Sequence, residues 1–365
     1  MMSIKHPHQQ QIRSNHMTWL PSAALTGLLL ASGAALAETA DADSMMARLQ
    51  QDAPSNWGKW GDGDQIGALN YLDEAQARRA AAAVRSGRRF MLQVPMTHGD
   101  GPVFPGRIPT QHFMASDESA YSSRKIEPMP GGMKASDDVV FMFLQGTTHV
   151  DALAHAWYGD QVYGGVSADS TIHGHTHADI GALADHGIVG RGVLLDVGRH
   201  LGSESSEGEG GRLPPDTCVH LADIQATAEA QNVTLEKRDI LILRTGSIAR
   251  FYEEAPDHAW DAMNEPGLCY SMELLDWLHE MEIPAITADN IAVERVVQDI
   301  EGETFIIPLH GALMRDLGII LTEIAWLEDL AADSAADGQY TFMYIAAPLK
   351  MEGGTGSPVN PVAIK

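Results

Sequence analysis

The sequence FLQGTTHVDALAH, residues 143–155, ends an apolar run and then places two imidazoles and a carboxylate within seven positions. A strand keeps alternate side chains on one face, so an extended chain would hold His149 and Asp151 on the same side, roughly 6.6 Å apart at about 3.3 Å per residue. If a helical turn begins near Asp151, His155 follows one turn later on that face. The spacing therefore predicts a metal site with His149 and Asp151 as ligands, and His155 as a further ligand or a general base.

Gln145 lies four positions before His149. On a flat strand it would lie roughly 13 Å from His149, so it reaches the same ion only if the chain bends near Gly146. An amide oxygen can bind a hard ion, and Gln145 is therefore expected to be a weaker ligand or a group that positions water.

The rest of the chain predicts an α/β fold. Short apolar or β-branched runs predict strands at 89–96, 139–144, 192–197, 239–245, 283–288 and 341–346. Helical periodicity lies between several of them, at 73–86, 221–231, 271–282 and 309–317. Two polar stretches, 202–215 and 331–338, are predicted as surface loops. We expect one catalytic domain at 89–365 after an N-terminal arm and helix at 38–88.

The first 37 residues have the features of a secretory signal peptide. Lys5 and Arg13 precede an apolar run that begins at Leu20 and ends with the small-residue sequence Ala35-Leu36-Ala37. We expect cleavage there and a periplasmic or secreted protein with no membrane anchor afterwards. The 24 Lys+Arg against 49 Asp+Glu give a formal charge of −25, which excludes a nucleic-acid binder that uses a basic surface.

The chain has two cysteines, Cys218 and Cys269. An oxidising compartment permits one bridge between them, and two free buried thiols are the alternative. Because they are so few and lack Cys-x-x-Cys spacing, we do not expect a thiolate zinc site, and histidine and carboxylate must hold any metal ion.

The motif His149-x-Asp151-x-x-x-His155, preceded by Thr148, resembles the signature of the cyclase-family metal hydrolases, His-x-Gly-Thr-His-x-Asp-x-Pro-x-His. This family includes bacterial kynurenine formamidase and isatin hydrolase. The sequence departs from the signature at three positions: Gln145 stands at the first His, Thr147 at the Gly and Leu153 at the Pro.

Further segments extend the resemblance over nearly the whole mature chain. They are 60–70, with Trp60, Gly61, Asp64, Gly67 and Asn70; 186–196; 289–294; Pro308-Leu309-His310; Glu323; and the tail 353–362. The resemblance implies an α/β fold of the swivelling β/β/α type and a homo-oligomer. It also implies that His310 and Glu323 complete the site, as a dyad or as a second metal pair.

The residues and the resemblance together predict a metal-dependent hydrolase that is arylformamidase-like and acts on a small molecule. A divalent ion with an open position lowers the pKa of water toward about 7 and polarises a carbonyl, so an amide, cyclic amide or lactone is opened at neutral pH. Mixed N and O ligation suits Zn²⁺ or Mn²⁺. The alternatives are a non-catalytic periplasmic module that binds a metal or ligand, and a metal-free dehydratase or cyclase.

Two other groups near the motif have open roles. Trp157, Tyr158 and Tyr163 form either one wall of an aromatic-substrate pocket or ordinary core packing. The alternating histidines at 173, 175 and 177 are interpreted as a surface or pocket-rim element, because nothing in the family signature requires them.

Overall fold

The computed structural model describes residues 45–202, 211–253 and 261–365. Within these residues, nine strands form one mixed sheet. In their order across the sheet, they are β1 (Arg89–Met91), β15 (Val362–Ile364), β13 (Thr341–Ala346), β5 (Ile188–Leu195), β7 (Ile240–Leu243), β9 (Ala285–Ala288), β12 (Ile320–Glu323), β4 (His149–Asp151) and β14 (Gly356–Pro358). The predicted signal peptide, residues 1–37, lies outside the described residues.

The sheet is parallel at its centre and antiparallel at both sides. Strands β5, β7, β9 and β12 run parallel, whereas β13, β15 and β1 on one side and β4 and β14 on the other are antiparallel to their neighbours. The two innermost strands, β7 and β9, are fully buried along their length, as parallel strands usually are. The polar residues that follow β7 and β9, and Glu323 at the end of β12, are thereby brought to one edge of the sheet.

Three strand pairs lie outside the main sheet: β2 (Gln111–Ser116) with β3 (Asp137–Phe141), β6 (Cys218–Val219) with β8 (Gly267–Leu268), and β10 (Val297–Ile300) with β11 (Glu303–Ile306). The strand predicted at 139–144 is thus present, but it belongs to the β2–β3 hairpin rather than to the core. Its side chains are exposed, with Phe141 63% accessible.

Most of the helices among the described residues connect strands along the chain. They are α1 (Glu74–Ala82), α2 (Glu118–Ser122), α3 (Ile180–His186), α4 (Val197–Leu201), α5 (Leu221–Ala230), α6 (Ser247–Glu253), α7 (Met272–Glu280), α8 (Pro308–His310) and α9 (Glu328–Asp337). The helix predicted at 309–317 is present as α8, which continues into a π-helical segment at Gly311–Asp316. No helix among the described residues is both long enough and apolar enough to cross a bilayer.

The prediction of a loop at 331–338 is wrong, because this segment lies in α9 and ends at Gly338, the C-cap of that helix. Helix α9 buries Leu330 and Ala331, and two of its aspartates hold the fully buried ammonium of Lys365. The Lys365 Nζ lies 2.6 Å from Asp333 Oδ2 and 2.7 Å from Asp337 Oδ1. The acidic composition that indicates a solvated loop instead serves a tertiary ion pair with the end of the chain.

The residues from Met46 to Lys365 form one compact unit, which is a mixed α/β domain as expected. A disulfide joins Cys218 of β6 to Cys269 just after β8, with the two Cα atoms 5.3 Å apart. Of the two alternatives that the sequence leaves open, the structure has the bridge.

Candidate metal centre

The metal-site motif lies on a short strand between two partners. Strand β4 consists of His149, Val150 and Asp151, and the Val150 side chain is completely buried in the core. Strand alternation therefore turns His149 and Asp151 to the opposite face, which is the shared face that the sequence predicts. On the neighbouring strand β12, Glu323 pairs directly with His149.

His149, Asp151 and Glu323 form a buried cluster in which each offers one ligand atom, all within 4.8 Å of one another. The His149 Nε2 lies 3.5 Å from Asp151 Oδ1 and 3.2 Å from Glu323 Oε2. Two ligand atoms held about 2.1 Å from one ion at a tetrahedral angle would lie about 3.4 Å apart. The cluster therefore has the spacing of a divalent metal site.

The hydrogen bonds of the cluster also fit a bound cation. The Nδ1 of His149 contacts the carbonyl oxygen of Thr147 at 2.7 Å, which can only accept, so Nδ1 carries the proton. In the neutral imidazole, Nε2 then presents a lone pair to two carboxylates. Among the described residues, neither His149 Nε2 nor either oxygen of Asp151 has a hydrogen-bond partner. Buried acceptors that face one another are costly unless a cation lies among them.

A second imidazole reaches the cluster from helix α8. The Nε2 of His310 lies 3.2 Å from Glu323 Oε1, so the two oxygens of Glu323 face two different histidines. Glu294 fixes the His310 ring: its Oε1 accepts from the Nδ1 and from the backbone N–H of His310, each at 2.7 Å. This arrangement leaves His310 Nε2 directed at the site.

The neighbouring charges raise the pKa of His149 and of His310 and lower that of Glu323. Burial alone would lower the pKa of His149, but the carboxylates of Asp151 and Glu323 outweigh it and raise that pKa above its ordinary value. Burial is likewise outweighed at His310, whose pKa is raised well above the ordinary value by Glu294 and Glu323. At Glu323, burial is outweighed by the two imidazoles, which lower its pKa to about 2. Glu323 is therefore ionised at neutral pH, between two imidazoles that favour protonation.

His155 differs from the other two imidazoles. It ends a 3₁₀ turn, Leu153–His155, and its Nε2 lies 3.9 Å from Asp151 Oδ1, with about a quarter of the side chain exposed. Burial lowers its pKa, and the positive charges of His310 and Arg107 add to this effect against the opposing pull of Asp151. His155 is thus a neutral imidazole at neutral pH, beside the cluster and open to solvent.

Gln145 lies next to this centre, and its amide has a partner of its own. The Nε2 of Gln145 donates to Thr355 Oγ1 at 3.1 Å, and the following residue Gly356 pairs with Asp151. The hydroxyl of Thr355 therefore fixes the amide at the position where the family signature has its first His.

The three aromatic residues after the motif have different environments. Trp157 is 41% exposed. The hydroxyl of Tyr158 donates to Asp316 at 2.8 Å, and that of Tyr163 donates to Asp64 at 2.6 Å. Both tyrosine hydroxyls thus tie the segment after the motif to other parts of the domain.

Three residues near the site carry a weak sequence signal or none. Glu294 belongs to a block of the family resemblance, but only the structure shows that it holds His310. Arg107 is an isolated arginine in a loop, and its guanidinium NH1 donates to the backbone oxygen of Gln145 at 3.3 Å. His175, interpreted from the sequence as a surface or rim residue, is only 6% exposed.

Comparison with known proteins agrees with this architecture. A family model described as Putative cyclase matches residues 90–295. A crystal structure described as a novel cyclase is 37% identical, covers 86% of this chain and 98% of its own, and superposes with a TM-score of 0.75. No curated protein matches the sequence.

Two more distant structures share the fold. Isatin hydrolase A from Labrenzia aggregata is 19% identical over 81% of this chain and 98% of its own, with a TM-score of 0.51. Isatin hydrolase A from Ralstonia solanacearum is 17% identical over 80% of this chain and 96% of its own, with a TM-score of 0.50. On the family match and the 37% identity, this chain belongs to the putative cyclase family.

Proposed function

We propose that this protein is an exported metal-dependent hydrolase that opens an amide, a cyclic amide or a lactone bond of a small molecule. The observation that carries the proposal is the buried cluster of His149, Asp151 and Glu323. Within it, His149 Nε2, both oxygens of Asp151 and Glu323 Oε1 have no hydrogen-bond partner among the described residues. The related isatin hydrolases support the same reaction class by their fold.

The three residues of the cluster would hold Zn²⁺ or Mn²⁺. When bound, the ion supplies a Lewis acid that polarises a carbonyl and a more acidic water at neutral pH. His155, neutral and partly exposed beside Asp151, accepts the proton of the attacking water at Nε2 and returns it to the leaving nitrogen or oxygen. His310, held by Glu294, keeps Glu323 ionised and oriented.

Metal content tests the proposal directly. Elemental mass spectrometry would be applied to wild type, to His149→Ala and to the control His173→Ala, which removes an exposed histidine outside the cluster. We expect about one equivalent of Zn²⁺ or Mn²⁺ in wild type and in the control, and loss of the metal in His149→Ala. Hydrolysis of a simple lactone, phthalide, and of a cyclic imide, phthalimide, would be measured on the same samples.

A wild-type protein that stays metal-free after incubation with both ions would contradict the proposal of a metal-dependent hydrolase. Turnover without metal would favour the dehydratase or cyclase alternative, and metal without turnover of any amide or lactone would favour the non-catalytic binding module.

Export is the second part of the proposal. The disulfide between Cys218 and Cys269 supports it, since such bonds persist in oxidising compartments. Intact mass measurement of protein from a periplasmic fraction would test it. We expect a mature chain that begins at Glu38, and a full-length chain recovered from the cytoplasm would contradict it.

A further inference from the structure

Three β-branched residues beside the metal centre have a left-handed backbone conformation. The angle φ is 60° at Val293, 46° at Ile307 and 57° at Ile324. Branched side chains rarely adopt positive φ, because the Cβ substituents crowd the neighbouring backbone. Val293 directly precedes Glu294, and Ile324 directly follows Glu323. Such strain persists only where the surrounding structure holds it, so the contacts of these residues indicate what positions the two glutamates.

Val293 is the middle residue of a tight turn of three residues. The N–H of Glu294 donates to the oxygen of Ala292 at 2.5 Å, and this bond together with the positive φ of Val293 defines the rarer, strained class of γ-turn. The turn is packed closely on β8, where a Cβ added to Gly267 would lie only 2.3 Å from the carbonyl carbon of Glu294. The turn therefore fixes the direction in which the Glu294 side chain leaves the backbone toward His310.

The side chain of Asn290 holds this turn from inside the protein. Asn290 is completely buried, and its Nδ2 donates to the oxygen of Pro266 at 2.7 Å and to that of Val293 at 3.2 Å. Both partners are backbone carbonyl oxygens, which only accept, so the amide must present its nitrogen to them. The Oδ1 of Asn290 has no hydrogen-bond partner among the described residues. The two donated bonds are therefore what this side chain contributes in the described part of the chain.

The backbone of Asn290 holds the segment of the second glutamate. Its carbonyl oxygen accepts from the N–H of Ile324 at 2.9 Å, directly after Glu323. Because the position of this oxygen follows from the course of the Asn290 backbone, a side chain that fixes that backbone also fixes the end of β12. Asn290 thus contacts two of the strained residues, Val293 through its amide and Ile324 through its main chain.

Both glutamates contact the same imidazole. The Oε1 of Glu294 lies 2.7 Å from Nδ1 of His310, and the Oε1 of Glu323 lies 3.2 Å from its Nε2. The third strained residue, Ile307, is the N-cap of helix α8, which carries His310, and its N–H donates to the oxygen of Val296 at 2.7 Å. A small movement of either glutamate would therefore change the orientation of the His310 ring at the centre.

Other side chains anchor the residues on either side of Asn290. The Oε2 of Glu265 accepts from the N–H of Ile291 at 2.6 Å. The carboxylate of Asp289 accepts from the N–H groups of Thr245 and Gly246, each at 2.7 Å. These bonds do not depend on the Asn290 amide, so we expect its loss to loosen the turn at the glutamate without unfolding the domain.

We propose that Asn290 is a positioning residue of the metal centre, which aligns Glu294 and Glu323 through the two strained segments. This inference rests on the proposed function, because the centre that Asn290 positions is the one that would hold the ion. Groups that orient metal ligands without touching the ion typically contribute to its affinity. Metal affinity and the geometry around His310 should therefore depend on Asn290 more than on other buried amides of the domain.

Titration with Co²⁺ and Zn²⁺ tests the inference without turnover, since the visible absorption of bound Co²⁺ reports the geometry of its ligands. The matched control for Asn290→Ala is Asn56→Ala, which removes another buried amide, one that donates to the oxygen of Leu317 at 2.8 Å. We expect Asn290→Ala to weaken binding of both ions about tenfold to a hundredfold and to shift the Co²⁺ bands. The control should match wild type in both respects, although urea denaturation should show that both substitutions lower stability.

Two further variants separate positioning from loss of folding. Asn290→Leu keeps most of the side-chain volume, so it replaces the alanine variant if the cavity left by alanine unfolds the domain. Glycine adopts positive φ without strain, so Asn290→Ala/Val293→Gly should no longer need the amide to hold the turn and should regain most of the lost affinity. A double variant that binds no better than Asn290→Ala overturns the inference. Equal affinity and equal Co²⁺ spectra in Asn290→Ala and Asn56→Ala overturn it as well.

Nuclear magnetic resonance of the metal-free protein distinguishes failure of this inference from failure of the proposed function. In protein labelled with ¹⁵N-histidine, the ring nitrogen shifts of His310 report its hydrogen bond to Glu294, and His310→Gln assigns them. We expect these shifts to change in Asn290→Ala and to stay as in wild type in Asn56→Ala. A wild type that binds neither ion contradicts the proposed function, whereas unchanged His310 shifts in Asn290→Ala overturn the positioning role whether or not the protein binds metal.

Discussion

Glu323 lies directly opposite His149 on adjacent antiparallel strands, although the two residues are far apart in the chain. The register of β12 and β4 thus decides which carboxylate meets the imidazole. A one-residue shift of β12 would turn Glu323 to the other face of the sheet, away from His149. Single substitutions of these two residues should act strongly, because the sheet holds both side chains in place.

Replacing Glu323 by Gln should weaken Zn²⁺ binding at least about a hundredfold, since even residues that only support metal ligands contribute about 10- to 100-fold. The substitution keeps the size of the side chain but removes the charge that faces both His149 and His310. Competition with a chromophoric chelator would measure the affinity. Glu303→Gln, an exposed glutamate, is the matched control. Equal affinity in the two variants would exclude Glu323 from the ligand set.

Metal binding should depend on pH through His149. The ion binds the unprotonated Nε2, and the nearby carboxylates raise the pKa of this imidazole against the effect of burial. The proton therefore competes with the metal below that raised pKa, and the affinity should fall about tenfold per pH unit there, for one proton released per ion. Zn²⁺ titrations between pH 8 and pH 5.5 would show the slope. An affinity that is constant over this range would rule out proton competition at His149.

His155→Ala should abolish most of the turnover and leave the metal content unchanged. General bases typically contribute about 10²- to 10⁴-fold, and the Nε2 of His155 is 3.9 Å from Asp151 and outside the three-ligand group. Burial lowers the pKa of His155, so in wild type the acid limb of kcat/KM should lie below about 6.5, the ordinary histidine value. Parallel loss of metal and turnover would make His155 a ligand instead.

The disulfide should stabilise the folded domain. It closes a loop of 51 residues and connects β6 with β8, so removing it should lower the free energy of unfolding by about 2–4 kcal/mol. Urea denaturation of the double variant Cys218→Ala/Cys269→Ala would measure this, with the reduced wild type as control. Identical midpoints for the oxidised and reduced wild type would show that the bridge adds no stability.

The sequence is informative about the site where the relevant residues are close in the chain. The extended stretch at His149 and Asp151 and the turn at His155 follow from local spacing. The pairing of Glu323 with His149 depends on the register of two strands that are distant in the sequence. Only the family resemblance therefore places Glu323 at the site. The fold is predictable at its apolar strands, whereas β4 and β14, with three residues each, are too short to give a periodic signal.

Helix α9 and the burial of His175 show a second limit of prediction from the sequence. The acidic residues of this segment suggest a solvated loop, but α9 buries Leu330 and Ala331, and two of its aspartates form ion pairs with Lys365. His173, His175 and His177 look equivalent in the sequence. Their burial and hydrogen bonds separate them, because both depend on how the loop meets Gly353 and Tyr163.

Gln145 stands at the position where the family signature has its first His. Its amide nitrogen donates to Thr355, and the buried cluster of His149, Asp151 and Glu323 already supplies three ligand atoms. We therefore expect Gln145→Ala to keep the metal stoichiometry of wild type and to weaken Zn²⁺ binding by less than about tenfold, much less than His149→Ala does. Thr355→Val, which removes the hydrogen bond to the amide but keeps Gln145, is the matched variant. If Gln145→Ala loses the ion as His149→Ala should, the amide oxygen is a ligand in its own right, and the three-residue centre is incomplete without it.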